Sequence, residues 1–138
     1  VNFDGGDLTL SCLEALLLDT YANIDTQIVL VDNGSLDNVV STIRQQWPEI
    51  EVIEPLENLG FGGGSNLGIT ASGSFDYVAL INPDALVEPG WLQPLVTKME
   101  ANSQLGATSP KMLFAGQKAL VHLNIPLKFC DIGCSPNL

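Results

Sequence analysis

Tyr77 to Pro89, YVALINPDALVEP, is the stretch from which the fold is read. Tyr77 to Ile81 are apolar without alternation, which suits a strand buried on both faces and therefore a parallel sheet covered by helices. Pro83 ends the run, because proline has no N–H for a ladder and holds the preceding residue in extended geometry. Asn82 then lies along the strand and Asp84 stands at its carboxyl end, where open α/β sheets bind ligands.

Outward from that stretch, strands and helices alternate. Downstream, Glu88-Pro89-Gly90 opens a helix with Trp91, Leu92, Leu95, Val96 and Met99 at helical spacing. Upstream, Val1 to Phe3 reads as a strand end, Gly5-Gly6 as a turn, and Asp7 as a cap before Leu8, Leu10, Cys12, Leu13, Leu16 and Leu17. Ser11 and Glu14 also have capping-box spacing. Gln27 to Val31 is the next buried strand, closed by the turn-forming Asp32-Asn33-Gly34-Ser35. A helix is expected from Leu36 to Gln46, ending before Pro48, then a strand from Glu51 to Glu54. Asn58 to Gly64, NLGFGGG, reads as a glycine-rich loop opening a short helix from Ser65 to Ala71, and Gly106 to Phe114 as one more strand. No element is assigned beyond Ala115. Trp47, Trp91 and the leucines around them read as core. The fold class is α/β, with a mostly parallel sheet flanked by helices and right-handed crossovers.

Composition narrows the function classes. The 138 residues, 46% of them hydrophobic, can bury one ordinary core, and we expect one soluble domain. The net charge of −11 opposes any hold on polyphosphate strands, so nucleic acid is excluded as a partner. Three cysteines are an odd count for a disulfide framework and favour a reducing compartment. Cys130 and Cys134 lack two further ligands at zinc spacing and read as core or loop residues. No apolar stretch reaches the roughly 20 residues a membrane span needs. The chain opens on Val1-Asn2-Phe3-Asp4 without Met and stops at Asn137-Leu138. We therefore expect an internal piece of a longer protein, cut within its first strand.

In such a fold Asn2/Asp4, Asp32/Asn33 and Asn82/Asp84 all follow strand ends, so they meet along one sheet edge with the glycine loop. Carboxylates crowded there repel one another unless a cation sits among them. Mg²⁺ or Mn²⁺ suits these oxygen donors, with substrate phosphates completing the shell. The single arginine, Arg44, is expected on a helix away from this edge. A bound diphosphate then relies on metal and on backbone N–H groups of the Gly60–Gly64 run.

These motifs carry a resemblance. IVLVDNGSLD at 28–37, ENLGFGGGSNLGI at 57–69 and YVALINPDALVEPGWL at 77–92 resemble, in order and spacing, the nucleotide-binding motifs of the family 2 glycosyltransferases. VNFDGGDLTLSCLEALL at the start is similar to that family's first strand end and helix. The resemblance covers residues 1 to about 114, and Ile81-Asn82-Pro83-Asp84 is similar to the bacterial rhamnosyltransferase-like branch. It implies the GT-A fold, with the chain forming the donor half of the domain, cut at both ends. It implies inverting, metal-dependent transfer of a sugar from a nucleoside-diphosphate sugar to a saccharide or lipid-linked hydroxyl, in bacterial cell-surface polysaccharide synthesis. Residue by residue, Asp32 would contact the nucleobase, Asn66 would lie near ribose or phosphates, and Asn82 and Asp84 would replace the family's Asp-x-Asp motif, with Asp84 as metal ligand. Asn2, Asp4, Asn33 and Gly62 complete the expected substrate-binding set. Asn82 departs from the pattern, being neutral where many members carry Asp. No segment matches the family's downstream base, since Asp131 is the one carboxylate after Glu100 and its neighbours do not resemble that motif. The catalytic base therefore stays unassigned, and the chain alone is expected to transfer no sugar. The family implies a cytoplasmic location, with peripheral attachment at the inner membrane face only through segments outside this chain.

Plainer readings stand beside these. Asp32 to Ser35 could be only a turn, Asp84 a helix cap, Asn82-Pro83 a strand stop, and the glycine run a flexible loop. Gly60, Gly62 and Gly64 before a helix also resemble an NAD(P)-binding domain, but the last position of G-x-G-x-x-G is Ser65. A non-catalytic nucleotide-sugar-binding module on the same fold is the third reading.

Overall fold

The computed structural model describes residues 1–19 and 24–112. Val1–Thr108 form one packed unit; of a second, Ser109–Leu138, only residues 109–112 are described. Cys130, Cys134 and Asp131 lie outside the described residues. In chain order the elements are α1 (Gly6–Leu18), β1 (Val29–Val31), α2 (Val39–Gln46), β2 (Glu51–Ile53), α3 (Gly60–Ala71) and α4 (Leu92–Ala101).

β1 and β2 pair in parallel, with Leu30 opposite Val52 and α2 as the crossover. On the other side of β1, Asn2 forms a parallel bridge with Asp32. Asn2 N donates to Val31 O at 2.7 Å and Asn33 N to Asn2 O at 2.8 Å. The strand end expected at Val1–Phe3 is therefore present as one bridge, and the spatial order is residue 2, β1, β2.

Successive residues of a strand face opposite ways, and β1 shows both faces covered. Leu30 is buried in a cluster with Leu13 of α1, Val39 and Ile43 of α2, and Ile50. Leu10, Leu16, Leu17 and Trp47 pack against that cluster. Val31 turns the other way, onto α3 at Gly68. Helices on both faces of a parallel pair are the α/β arrangement that the sequence predicts.

Four expectations are corrected. Residues 77–81 form no strand and join no ladder among the described residues. Tyr77, Val78 and Leu80 are 42%, 54% and 58% exposed. An apolar run becomes a strand only beside another backbone with free N–H and C=O groups. Among the described residues no such backbone pairs with 77–81. Residues 106–112 likewise form no strand, and 113–114 lie outside the described residues. The glycine run is not a loop: α3 begins at Gly60 and takes the whole run into its first turns. Finally, α4 has no buried residue, so Trp91, Leu92 and Leu95 are half-buried rather than core.

Candidate active site

The loop after Asn2 and the loop after β1 are held together by polar contacts. Asn2 is fully buried, and every polar group of its side chain is used. Its Oδ1 accepts from Thr9 Oγ1 at 2.7 Å, and its Nδ2 donates to Asp32 Oδ1 at 2.6 Å and to Ser35 Oγ at 3.0 Å. Ser35 is the hub. Its hydroxyl donates to Asp32 Oδ1 at 2.5 Å and accepts from Asn2 Nδ2 and from Asp4 N at 2.9 Å, filling its one donor and two acceptor positions. Asp4, in the left-handed region at φ 50°, accepts from Leu36 N at 2.7 Å, and Asp37 accepts from Gly6 N at 3.0 Å. Gly5 makes room for the junction, since a Cβ there would collide with Thr9 Oγ1 and Asn2 Oδ1.

Asn33 ties the third segment to the first two. Its Nδ2 donates to Gly60 O at 3.0 Å, where α3 starts. Gly60 has φ 67°, which glycine adopts without strain, and its N–H donates to Asn58 Oδ1 at 2.8 Å. Gly64 lets α3 approach closely, because a Cβ would stand 2.8 Å from Val1 Cγ1 and 3.3 Å from Asn33 Nδ2. Gly62 and Asn66, one turn apart on α3, are both exposed, and a Cβ on Gly62 would meet nothing within 4 Å. Nothing internal therefore requires glycine at position 62.

The fourth segment arrives as a turn instead of a strand end. Ala85 N donates to Asn82 O at 3.0 Å, which closes a tight turn over Pro83-Asp84. Cys12 Sγ of α1 donates to the same carbonyl at 3.6 Å. Burial pushes the Cys12 thiol above its usual range, and the nearby Asp84 charge adds to that shift. Asp19, at the end of α1, receives Gly90 N on both carboxylate oxygens, at 3.0 Å each. α1 thus holds the segment at two points.

All four segments border one cavity of about 350 Å3, lined by Val1, Asn2, Phe3, Asn33, Asn58, Gly60, Phe61 and Pro83. Asp32 borders a neighbouring open cleft of about 580 Å3, with Ser35, Asp37, Asn38, Val40, Ser41, Arg44, Gln45 and Glu54. Arg44, expected away from the site, lines the same cleft as Asp32 and is ion-paired with Glu54.

The donor set admits a divalent cation of one kind only. Among the described residues no group of three Asp, Glu, His or Cys side chains is placed to hold a metal ion together. Asp84 is exposed, and its carboxylate accepts no hydrogen bond from another described residue. A single unencumbered carboxylate fits Mg²⁺ or Mn²⁺ that takes its remaining ligands from phosphate and water.

Three positions with a part here were missed from the sequence: Ser35, Thr9 and Asn58. Ser35 and Asn58 carried a signal, an Asx or Ser residue two or three positions from a turn partner. Thr9 carried none, since its partner Asn2 is reached only once Gly5 has folded the chain back.

Comparison with known proteins shows the family. Residues 3–115 match the family described as Glycosyl transferase family 2. An uncharacterized glycosyltransferase of Haemophilus influenzae is 27% identical over 91% of this chain and 39% of its own length. Glycosyltransferase GlyG of Streptococcus pneumoniae is 26% identical over 71% of the chain and 33% of its own length. An N-acetylglucosaminyl-diphospho-decaprenol L-rhamnosyltransferase of Mycobacterium tuberculosis is 28% identical over 60% of the chain and 30% of its own length. The chain thus spans about a third of the length of these relatives. With four motif segments gathered at one cavity and the family matched over residues 3–115, the chain belongs to the family 2 glycosyltransferases.

Proposed function

We propose that this chain forms the donor half of a site that transfers a sugar from a nucleoside-diphosphate sugar to an acceptor hydroxyl with inversion. The convergence of four distant segments on the cavity at Asn33, Gly60 and Pro83 is the observation that carries this reading. The first turn of α3 presents backbone N–H groups and the positive end of the helix dipole, an arrangement suited to a diphosphate. Gly62 and Asn66 are exposed on that helix and lie open to ribose or phosphate. Asp32, which lines the adjoining cleft, would contact the base, and Asp4 and Asn33 hold the walls. Asn82 shapes the turn that presents Asp84, which would hold Mg²⁺ or Mn²⁺. Such a cation, when bound, supplies positive charge against that of the departing diphosphate.

The relative named as acting on N-acetylglucosaminyl-diphospho-decaprenol supports a saccharide or lipid-linked acceptor and a part in bacterial cell-surface polysaccharide synthesis. Among the described residues no helix is long and apolar enough to cross a membrane. A cytoplasmic donor site with peripheral membrane attachment is the location this reading takes from the family resemblance. The net charge of −11 argues against a nucleic-acid partner.

Thermal unfolding with ligands tests the reading. A nucleoside diphosphate at about 100 times its Kd stabilises by about 2.7 kcal/mol, which is several degrees in Tm. The rise should require Mn²⁺ or Mg²⁺, and Asp84→Asn should remove the metal-dependent part. A metal-independent rise with NAD, and none with nucleoside diphosphates, would sink the proposal.

A further inference from the structure

Asp84 sits in the first of two tight turns that α1 grips. Each turn has proline at its second position, where a φ fixed at about −65° favours types I and II. In Asn82-Pro83-Asp84-Ala85 the closing bond runs from Ala85 N to Asn82 O at 3.0 Å, and in Glu88-Pro89-Gly90-Trp91 from Trp91 N to Glu88 O at 3.1 Å. Gly90 has φ 77°, so the second turn is type II, and its closing bond leaves Gly90 N free to donate elsewhere. Asp19 takes that N–H on both carboxylate oxygens at 3.0 Å each, while Cys12 Sγ donates to the Asn82 carbonyl of the first turn at 3.6 Å. Only Leu86 and Val87 separate the two turns, so a displacement at Gly90 reaches Asp84 with little chain to absorb it.

Resting on the donor-site reading above, we infer that Asp19 is a positioning residue for Asp84: by holding Gly90 it keeps the Asp84 turn where a cation and a diphosphate can share it. The Asp84 carboxylate is exposed and accepts no hydrogen bond from another described residue, so its place is set by the backbone that carries it. Residues 77–81, which lead into the turn, join no ladder among the described residues, and α4, which follows, buries none of its residues. Order in the turn therefore draws on α1, which is itself fixed by its buried Cys12 and Leu13. Of the two grips, the charged acceptor Asp19 is the stronger, because a thiol is a weak donor. A turn already held in place avoids the ordering cost that a loose loop meets when its ligand binds. That advantage falls on the metal-dependent part of nucleotide affinity, since Asp84 is the side chain that would meet the cation. Contacts made to the nucleotide by the other three segments do not pass through Gly90.

Isothermal titration of the full chain with UDP, dTDP and GDP, each with Mn²⁺ and again with EDTA, measures the two parts separately. For the nucleotide that binds most tightly, Asp19→Ala should weaken affinity in Mn²⁺ by about threefold to tenfold and leave affinity in EDTA within about twofold of wild type. Asp19→Asn keeps a neutral acceptor for Gly90 N and should fall between the two; it carries the same test if Asp19→Ala does not fold. Glu14→Ala removes an equal charge from an exposed position on α1 and should bind as wild type does, which separates the hydrogen bond from long-range charge. A merely structural role would weaken binding in Mn²⁺ and in EDTA alike. Equal losses in the two media, no loss in either Asp19 variant, or the same loss in Glu14→Ala overturns the inference and leaves the donor-site reading standing. If the wild-type chain binds none of the three nucleotides more tightly with Mn²⁺ than without, the donor-site reading fails and the inference with it.

Discussion

Gly64 and Gly62 occupy the same helix within one turn, and their surroundings give opposite expectations for the same substitution. Ala is a better helix former than Gly by about 1 kcal/mol, and at Gly62 nothing within 4 Å opposes a methyl group. Gly62→Ala should therefore leave stability unchanged or raise it by about 0.5–1 kcal/mol. At Gly64 the methyl would meet Val1 Cγ1 at 2.8 Å and crowd the Asn33 amide, so α3 must withdraw from the loop that it anchors. Overpacking of that kind costs about 1–3 kcal/mol, and Gly64→Ala should be net destabilising by about 1–2 kcal/mol. Chemical denaturation of the two variants checks the pair, and equal midpoints would show the Val1–Gly64 contact to be absent. The glycine run was legible as a place of close approach. Which glycine makes that approach was not, because it depends on the angle at which α3 meets Val1 and Asn33.

Among the elements, β1 and the segment 77–81 are both apolar runs followed by polar turns, yet one is a strand and the other is not. β1 has neighbours on both sides, β2 along its whole length and Asn2 at its end. Residues 77–81 have none among the described residues, and three of their large side chains stand about half exposed. Hydrogen exchange should separate the two. The amides of Asp32 and Asn33, donating to Ile53 O and Asn2 O at 2.8 Å each, should be protected about a hundredfold or more relative to those of residues 77–81. Comparable protection in the two segments would mean that 77–81 has found a ladder. The site does not depend on that ladder, because the turn over Pro83-Asp84 is held by Cys12 and by the Asp19–Gly90 contact.

Over the whole molecule, 16 acidic residues face 5 basic ones. Arg44 and Glu54 form an ion pair. Self-repulsion of a net −11 charge is screened by salt, with a Debye length of about 30 Å at 0.01 M falling to about 8 Å at 0.15 M. Raising NaCl across that range should therefore lift Tm by about 2–5 °C, and a flat or falling Tm would place the charges too far apart to matter. By itself the sequence determined the α/β class, the parallel pairing around α2, the family, and the three polar clusters that gather at one end with the glycine run. Each of these follows from local periodicity, turn chemistry and order along the chain. The tertiary structure alone decided that α3 takes in the glycine run, that 77–81 pairs with no described strand, and that Asn2 and Ser35 hold Asp32. Those outcomes depend on which backbone lies alongside which, and on how many hydrogen bonds a buried carboxylate has already accepted. Residue types and spacing do not encode either quantity.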